Sequence, residues 1–574
     1  MASKLFFNGR SYSTPTTVSR IDDSAEQPKS LTVGNVLAII GTCTGGKPNV
    51  PLAFGDPNTV ASVLVSGPLL TAVQKAFSPS AQTDAPSTVI AIRVGSATQA
   101  ALTLKDSAGA ACIDLLSTQY GLPANQVKIK VEAGSVSGRK VTTQFGQFYA
   151  SQDNLGRNAL TVAYTGVEAT ARMLVSPTQV VLFAPSLTPV ATIALADAPT
   201  VAQLADRIAS VPGFLATVFG GAEHTPALLG LDTNSVVDVK TAPVVVTADL
   251  AAIIEWLNSA GEGYVTASRS AGATLPPAAV PFAYLVGGTA PAVTMADYAN
   301  ALGALQAVDC QHVVPLTGDP AVHAACDAHV AYMSVVGRKE RRAYVGPAAG
   351  TSLAAVLALP LALDSDRTAL CWPGYYDYDA NGVRTLYAPF FTAVLVAAGF
   401  AGSDPGTPMT NKTLKVRGLE VEVRNPTDTD QLIQAGVLTL EKTTQGYKVV
   451  RSITTWLAND NYNRCEVSVG IATDFVARNV RDAVDPLRGQ EATPIAIARA
   501  VSQAQSALLE LSKPQPAGPG VLVGDAKNPP FRNVTASLTG DVLAVSFEAS
   551  PVIPINFIPI SIAIVPYSGT AAAA

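Results

Sequence analysis

The segment Ser550–Tyr567, SPVIPINFIPISIAIVPY, limits the possible folds more than any other stretch of the sequence. Ile553, Ile555 and Phe557 occupy alternate positions, and Ile560, Ile562 and Ile564 do so again. A period of two describes a strand with one apolar face. Prolines at 551, 554, 559 and 566 each remove a ladder donor, which excludes the middle of a sheet. An edge strand, or one added to another chain's sheet, satisfies both facts. Left bare, large apolar side chains on a terminal segment invite aggregation. The expectation is a strand lent to another subunit, with a strand folded onto its own domain as the alternative.

Composition points the same way. Charged residues make up 14% of the 574, against about 25% in typical soluble domains. The apolar share is 48% with only 6% aromatic, so Ala and Val carry it. No run reaches the roughly 18–20 apolar residues that a membrane helix needs, so burial against other protein copies is expected to cover part of the surface, with an Ala-rich composition by itself as the alternative account. A net charge of −5 argues against direct nucleic-acid binding, for which a basic patch is expected. The opening MASKLFFNGRSYS has too short an apolar core for a signal peptide. Cys43, Cys112, Cys310, Cys326, Cys371 and Cys465 are scattered, which fits a reducing compartment better than a disulfide framework.

A chain of this length predicts about three or four domains. Residues 1–30 are polar and read as an extended N-terminal arm, with a frayed terminus as the alternative. Residues 31–97 begin an α/β core, with a strand over VLAIIG, a helix near 61–76 and a second strand at Thr88–Val94. Over 98–240 short strands such as VKIKV and VVLF are separated by Gly, Ser, Asn and Asp, which predicts a mostly β insertion with a helix at Val201–Val211. The α/β pattern is expected to resume over 241–425, starting with a helix at Ala248–Ala260 and including another at Tyr387–Ala398. Residues 426–550 read as an α+β domain, and 551–574 as the C-terminal arm.

Inside that last domain Tyr447–Thr455 and Arg464–Ile471 look like strands, followed by helices at Asp474–Arg488 and Thr493–Leu511. The first helix carries an apolar stripe of Val476, Val480, Ala483, Val484 and Leu487. Asp474/Arg478, Arg478/Asp482 and Arg481/Asp485 stand at the spacing of intrahelical ion pairs. The second helix has Thr493 at the N-cap and Pro494 at its first position, where a missing N–H costs nothing.

Sites of chemistry are weak. Gly41–Lys47 (GTCTGGK) has the spacing of a phosphate-binding loop, but Pro48 replaces the Ser or Thr and blocks the helix start, so a tight turn suffices. Cys310, His312, His323, Cys326 and His329 are of zinc-ligand type, yet their spacing matches no standard site and ordinary packing is expected. No nucleophile elbow or metalloprotease motif accompanies the histidines. The expectation is no catalysis, no metal and no cofactor. The basic run Arg338, Lys339, Glu340, Arg341, Arg342 is expected on a solvated face or against acidic surface of another copy.

A set of ordered motifs resembles contractile tail sheath proteins of phages and related injection systems. These are YKVVRSITTW at Tyr447–Trp456, EVSVGIATDFVARNVR from Glu466, GQEATPIAIAR from Gly489, the N-x-P-x-x-F-G-D-P of Asn49–Pro57, SGPLLTAV at Ser66–Val73, YGLPANQVKIKV at Tyr120–Val131, GRKERR at Gly337–Arg342 and TNKTL at Thr410–Leu414. The resemblance implies a subtilisin-like α/β core interrupted by the β insertion. It also implies exchange of terminal arms between neighbours, with Ile553, Ile555, Phe557, Ile560, Ile562 and Ile564 as the exchanged strand. Arg478, Arg481 and Arg488 become candidates to face an inner tail tube; ion pairs within the helix are the competing account. The implied function is a structural subunit that assembles as helical, hexameric rings around the tube and contracts. Its implied partners are further copies, the tube protein, baseplate and tail terminator proteins, in a virion tail assembled in the host cytoplasm. A divergent or inactive subtilisin-like hydrolase and a self-assembling surface-layer protein are the alternatives.

Overall fold

The computed structural model describes residues 36–228, 230–259, 263–564, 566, 567 and 569, and the backbone of two short antiparallel strands, Leu5–Phe7 and Arg10–Tyr12. The expected N-terminal arm otherwise lies outside the described residues. The chain forms two compact units. One holds the described residues up to Ile39, Lys75–Ile90 and everything from Gln306; the other holds Ile40–Gln74 and Ala91–Leu305.

The first unit is built on a mixed sheet. Its strands are β1 (Val36–Gly41), β2 (Thr88–Arg93), β3 (His312–Pro315), β4 (Arg342–Val345), β5 (Thr368–Trp372), β6 (Thr413–Leu414), β7 (Val437–Thr443) and β8 (Gly446–Val449). They lie side by side in the order β6, β8, β7, β5, β4, β3, β1, β2. The pairs β3/β4, β4/β5 and β5/β7 are parallel, while β7/β8 and β6/β8 are antiparallel. Every residue of β3, β4 and β5 is buried, the continuous burial expected of parallel strands. Helix α1 (Pro320–Val335) starts on an Asp319 cap and packs on β3 and β4. Helix α2 (Pro389–Ala401, PFFTAVLVAAGFA) is apolar all round and packs across β3, β4 and β5 with every residue but Phe390 buried, as such a helix must be.

Beyond the sheet come α3 (Val467–Val484), α4 (Pro494–Ser512) and a hairpin of β9 (Phe531–Thr539) and β10 (Val542–Ala549). Phe475, Val476 and Val480 of α3 share a core with Ala504, Leu508 and Leu511 of α4, and Phe531, Val534, Val545 and Phe547 of the hairpin close it. The expected cap of α4 forms, with Thr493 accepting from the Ala496 N–H. Two expectations fail here. Arg464–Ile471 is not a strand but the start of the helical stretch, because Val469, Ala472, Val476 and Val480 continue a helical stripe that six alternating residues imitate. The strands after Val437 are not a separate small sheet either. β7 pairs with β5 through Leu370↔Val437 and Trp372↔Thr439, so no break falls at 425/426.

The second unit carries four antiparallel sheets and two separate cores. The expected helix near 61–76 is two helices, Pro57–Leu64 and Pro68–Ala76, separated where Val65 (φ 62°) and Gly67 (φ 114°) leave helical conformation. Gly41–Lys47 runs through a turn into a strand, Pro51–Phe54, with no helix start to cradle phosphate. The insertion extends well past 240. Val244–Thr247 pairs with Asn158–Tyr164, Val265–Arg269 with Ala111–Tyr120, and Val280–Tyr284 with Val127–Ala133. The helix Asp249–Leu257 buries Leu250, Ile253 and Leu257 in the core beneath those strands. The helix itself was legible; which sheet it would cover was not.

Candidate assembly interface

The C-terminal segment leaves β10 and is first held by its own unit. The Val523 N–H donates to the Ser550 carbonyl (3.0 Å) and the Val552 N–H to that of Val521 (2.9 Å). Asn556 Nδ2 donates to Glu466 Oε1 at 2.8 Å. That carboxylate is fully buried at the start of α3 and also accepts from Arg451 Nε at 2.7 Å. The Arg451 guanidinium lies 5.9 Å from the Phe557 ring centre. No sequence pattern flagged this seat, because Asn556 and Glu466 stand 90 positions apart. Past it the segment is bare. Ile555, Phe557, Ile560 and Ile562 are each about four-fifths exposed and Ile564 is 90% exposed, while Ile553 is half-covered. Among the described residues, 552–564 form no ladder with any strand of their own chain.

The arginines fall in different places. Arg478 is buried and pairs with Asp309 (3.0 Å) and Glu340 (3.2 Å); Arg481 also binds Glu340. Asp474 likewise turns away from its own helix and takes Arg342 and Arg367, each at 3.1 Å. Helix α3 is thus tied to β4 and to the strand that follows it in space by ions on different elements, where i,i+4 pairs within the helix were expected. Only Arg488 has most of its side chain in solvent, beside Asp485 at 3.0 Å. Gly470 belongs to the same arrangement, since a Cβ there would overlap the Arg342 guanidinium.

The basic run is only in part a solvated face: Arg338 is exposed and Lys339 half-buried, and the rest turns inward. Glu340, Arg341 and Arg342 are buried, and Arg341 donates to the Val308 carbonyl (2.8 Å) and to His329 Nε2 (3.0 Å). Burial, and then the neighbouring Arg341 charge, hold the His329 imidazole down to about 4. His312 Nδ1 lies 3.0 Å from the Tyr344 hydroxyl, and His323 Nε2 donates to the Thr317 carbonyl at 2.8 Å. Burial pushes the Cys310 thiol up to about 11 and raises Cys326 further. The three histidines each have a different partner, and no group of three His, Cys, Asp or Glu side chains able to hold a metal occurs among the described residues.

Residues 292–455 match the family model of the phage tail sheath protein central domain. The tail sheath protein of Bacillus phage SP01 is 27% identical over 98% of this chain and 97% of its own. A putative tail sheath protein of Enterococcus phage phiEF24C is 27% identical over 83% of this chain and 85% of its own. Its relatives are tail sheath proteins. Among solved structures, the sheath tail protein of Listeria innocua covers 92% of this chain and 94% of its own at 14% identity, with a TM-score of 0.55, so the likeness extends to the fold. The fold is mixed α/β and multidomain, as in that sheath tail protein. The matched central domain spans β3 to β8 and ends before α3, so it includes the strands next to which the buried arginines fasten the C-terminal helices and leaves out β1 and β2.

Proposed function

We propose that this chain is the structural subunit of a contractile tail sheath. Copies assemble as stacked helical rings around an inner tube, and contraction drives the tube through a target envelope. The observation that carries the reading is the bare apolar segment from Ile553 to Ile564 on a chain whose relatives are tail sheath proteins. The segment has strand alternation, prolines that suit an edge, and no ladder of its own, so it serves as a strand added to the sheet of a neighbouring copy. The energy of contraction then lies in the difference between subunit contacts in two packings. The tube, baseplate and terminator proteins are the expected partners, in a virion tail assembled in the host cytoplasm, and the chain's own α/β core is of the subtilisin-like type. Of the three arginines, Arg488 alone retains the exposure needed to face a tube.

Electron microscopy of the purified full chain at rising concentration tests the reading against deletion of Pro551–Ala574. The full chain is expected to form hollow tubes of regular helical repeat, and the truncated chain only small particles. Long ordered tubes from the truncated chain overturn the strand exchange; small particles from both overturn the sheath reading.

A further inference from the structure

In the second unit one sheet face has a composition that the fold does not require. Four antiparallel strands lie in the order Phe148–Leu155, Arg139–Phe145, Val127–Ala133, Val280–Tyr284. Their inner face is Val127, Ile129, Val131 and Val141, all buried. Alternation calls for an ordinary polar surface outside. Instead, registered partners place Tyr149, Gln144, Lys128 and Tyr284 in one row across the sheet. Tyr149 is 70% exposed, Tyr284 55% and the nearby Phe282 42%. The Lys128 amine is held over Phe282 (4.8 Å) and Tyr284 (5.5 Å), and the Lys130 amine lies 5.8 Å from the Phe282 ring centre. The rings therefore fix cationic groups toward the Val280–Tyr284 edge of the face, with a further bare ring on the opposite edge strand.

We propose that this face binds an acidic polysaccharide. Flat aromatic rings stack on the apolar faces of sugar rings, as they do on other flat surfaces, and the fixed ammonium groups receive a carboxylate or phosphate of the polymer. Three strand spacings, about 14 Å, separate Tyr149 from Tyr284, enough for a short oligosaccharide to lie across the strands with its acidic group over Lys128. Sparse charge selects this partner over a nucleic acid. The outward positions of the two central strands carry Lys128, Lys130 and Lys140 against Glu132, and Lys130 is already paired with Glu132 at 2.7 Å. So few free cations on a chain of net charge −5 suit a polymer with widely spaced acidic groups, and do not suit a phosphate at every residue.

The inference does not depend on assembly and is tested on the full chain by calorimetric titration with a galacturonic acid oligomer, its fully methyl-esterified form and an oligothymidylate. The acid oligomer is expected to bind. Tyr149→Ala with Tyr284→Ala weakens it about tenfold, and Tyr149→Phe with Tyr284→Phe retains it. Lys128→Gln lowers affinity for the acid form and leaves that for the ester unchanged. Far-ultraviolet circular dichroism checks that these surface variants stay folded. Absence of binding by the parent chain, or equal binding by the alanine variant, overturns the proposal. So does tighter binding of oligothymidylate, or loss of self-association in the alanine variant, which would assign the face to a second copy.

Discussion

At the residue scale, His329 shows how a side chain of apparent ligand type becomes a structural one. Its Nε2 accepts from the buried Arg341, so the ring must stay neutral, and its proton affinity falls to about 4 against an ordinary value near 6.5. A group depressed in this way binds fewer protons folded than unfolded below pH 6.5. Stability is then fully present above about pH 6.5 and is lost as pH falls toward 4, by up to about 3 kcal/mol. His329→Gln keeps an acceptor for Arg341 and removes the titration. Thermal unfolding of the pair across pH 7 to 4 should show the parent losing more of its midpoint than the variant; parallel losses would assign the acid sensitivity to other groups. The five-residue His/Cys cluster was legible in the sequence as a cluster, and its separate partners were not. Tyr344, Thr317 and Arg341 come from a strand, a loop and a turn whose approach depends on the sheet.

At the element scale, α4 and the part of α3 from Asp474 onward were legible because amphipathic spacing and a Thr-Pro cap are local signals, whereas the first turn of α3 read as a strand. What α3 is fastened to was not. Asp309 and Glu340 lie 169 and 141 positions before the arginines they meet, so an i,i+4 pairing was the nearer reading of the same charges. Asp474 is the point where the helix is clamped. Replacing it by Asn leaves Arg342 and Arg367 with no counter-charge there in a mostly buried site, a loss of about 3 kcal/mol. Arg488→Gln, which breaks a surface pair, should change stability by less than about 0.5 kcal/mol. Hydrogen exchange resolves the two, because amides of α3 should exchange faster in Asp474→Asn alone. Unchanged protection in that variant would mean that the apolar core shared with α4 holds the helix unaided. The misplaced boundary at 240 has the same origin. A helix at this place was legible, but its local pattern does not say against which sheet Leu250, Ile253 and Leu257 are buried.

At the scale of the whole molecule, the C-terminal segment leaves the chain with apolar surface that its own fold does not cover. Six side chains of this size are worth on the order of 10 kcal/mol when buried, before the cost of ordering the segment that bears them. That gain is out of reach for a lone copy, since the Asn556–Glu466 contact fixes the root of the segment and the prolines keep it from a central position in a sheet. Under the proposed strand addition, a neighbouring copy supplies an open edge and an apolar face together, and the ordering of this segment is coupled to association. The double substitution Ile560→Asp, Ile562→Asp separates this coupling from stability. Both side chains are about four-fifths exposed and lie past the anchored root, so the isolated chain should melt within about 0.5 kcal/mol of the parent. In assembly, each aspartate would enter an apolar seat as an unpaired charge, and ordered tubes should disappear from micrographs at concentrations where the parent forms them. Tubes of unchanged repeat from the double variant would place the segment on the solvent side of the assembly and leave its apolar alternation without a partner.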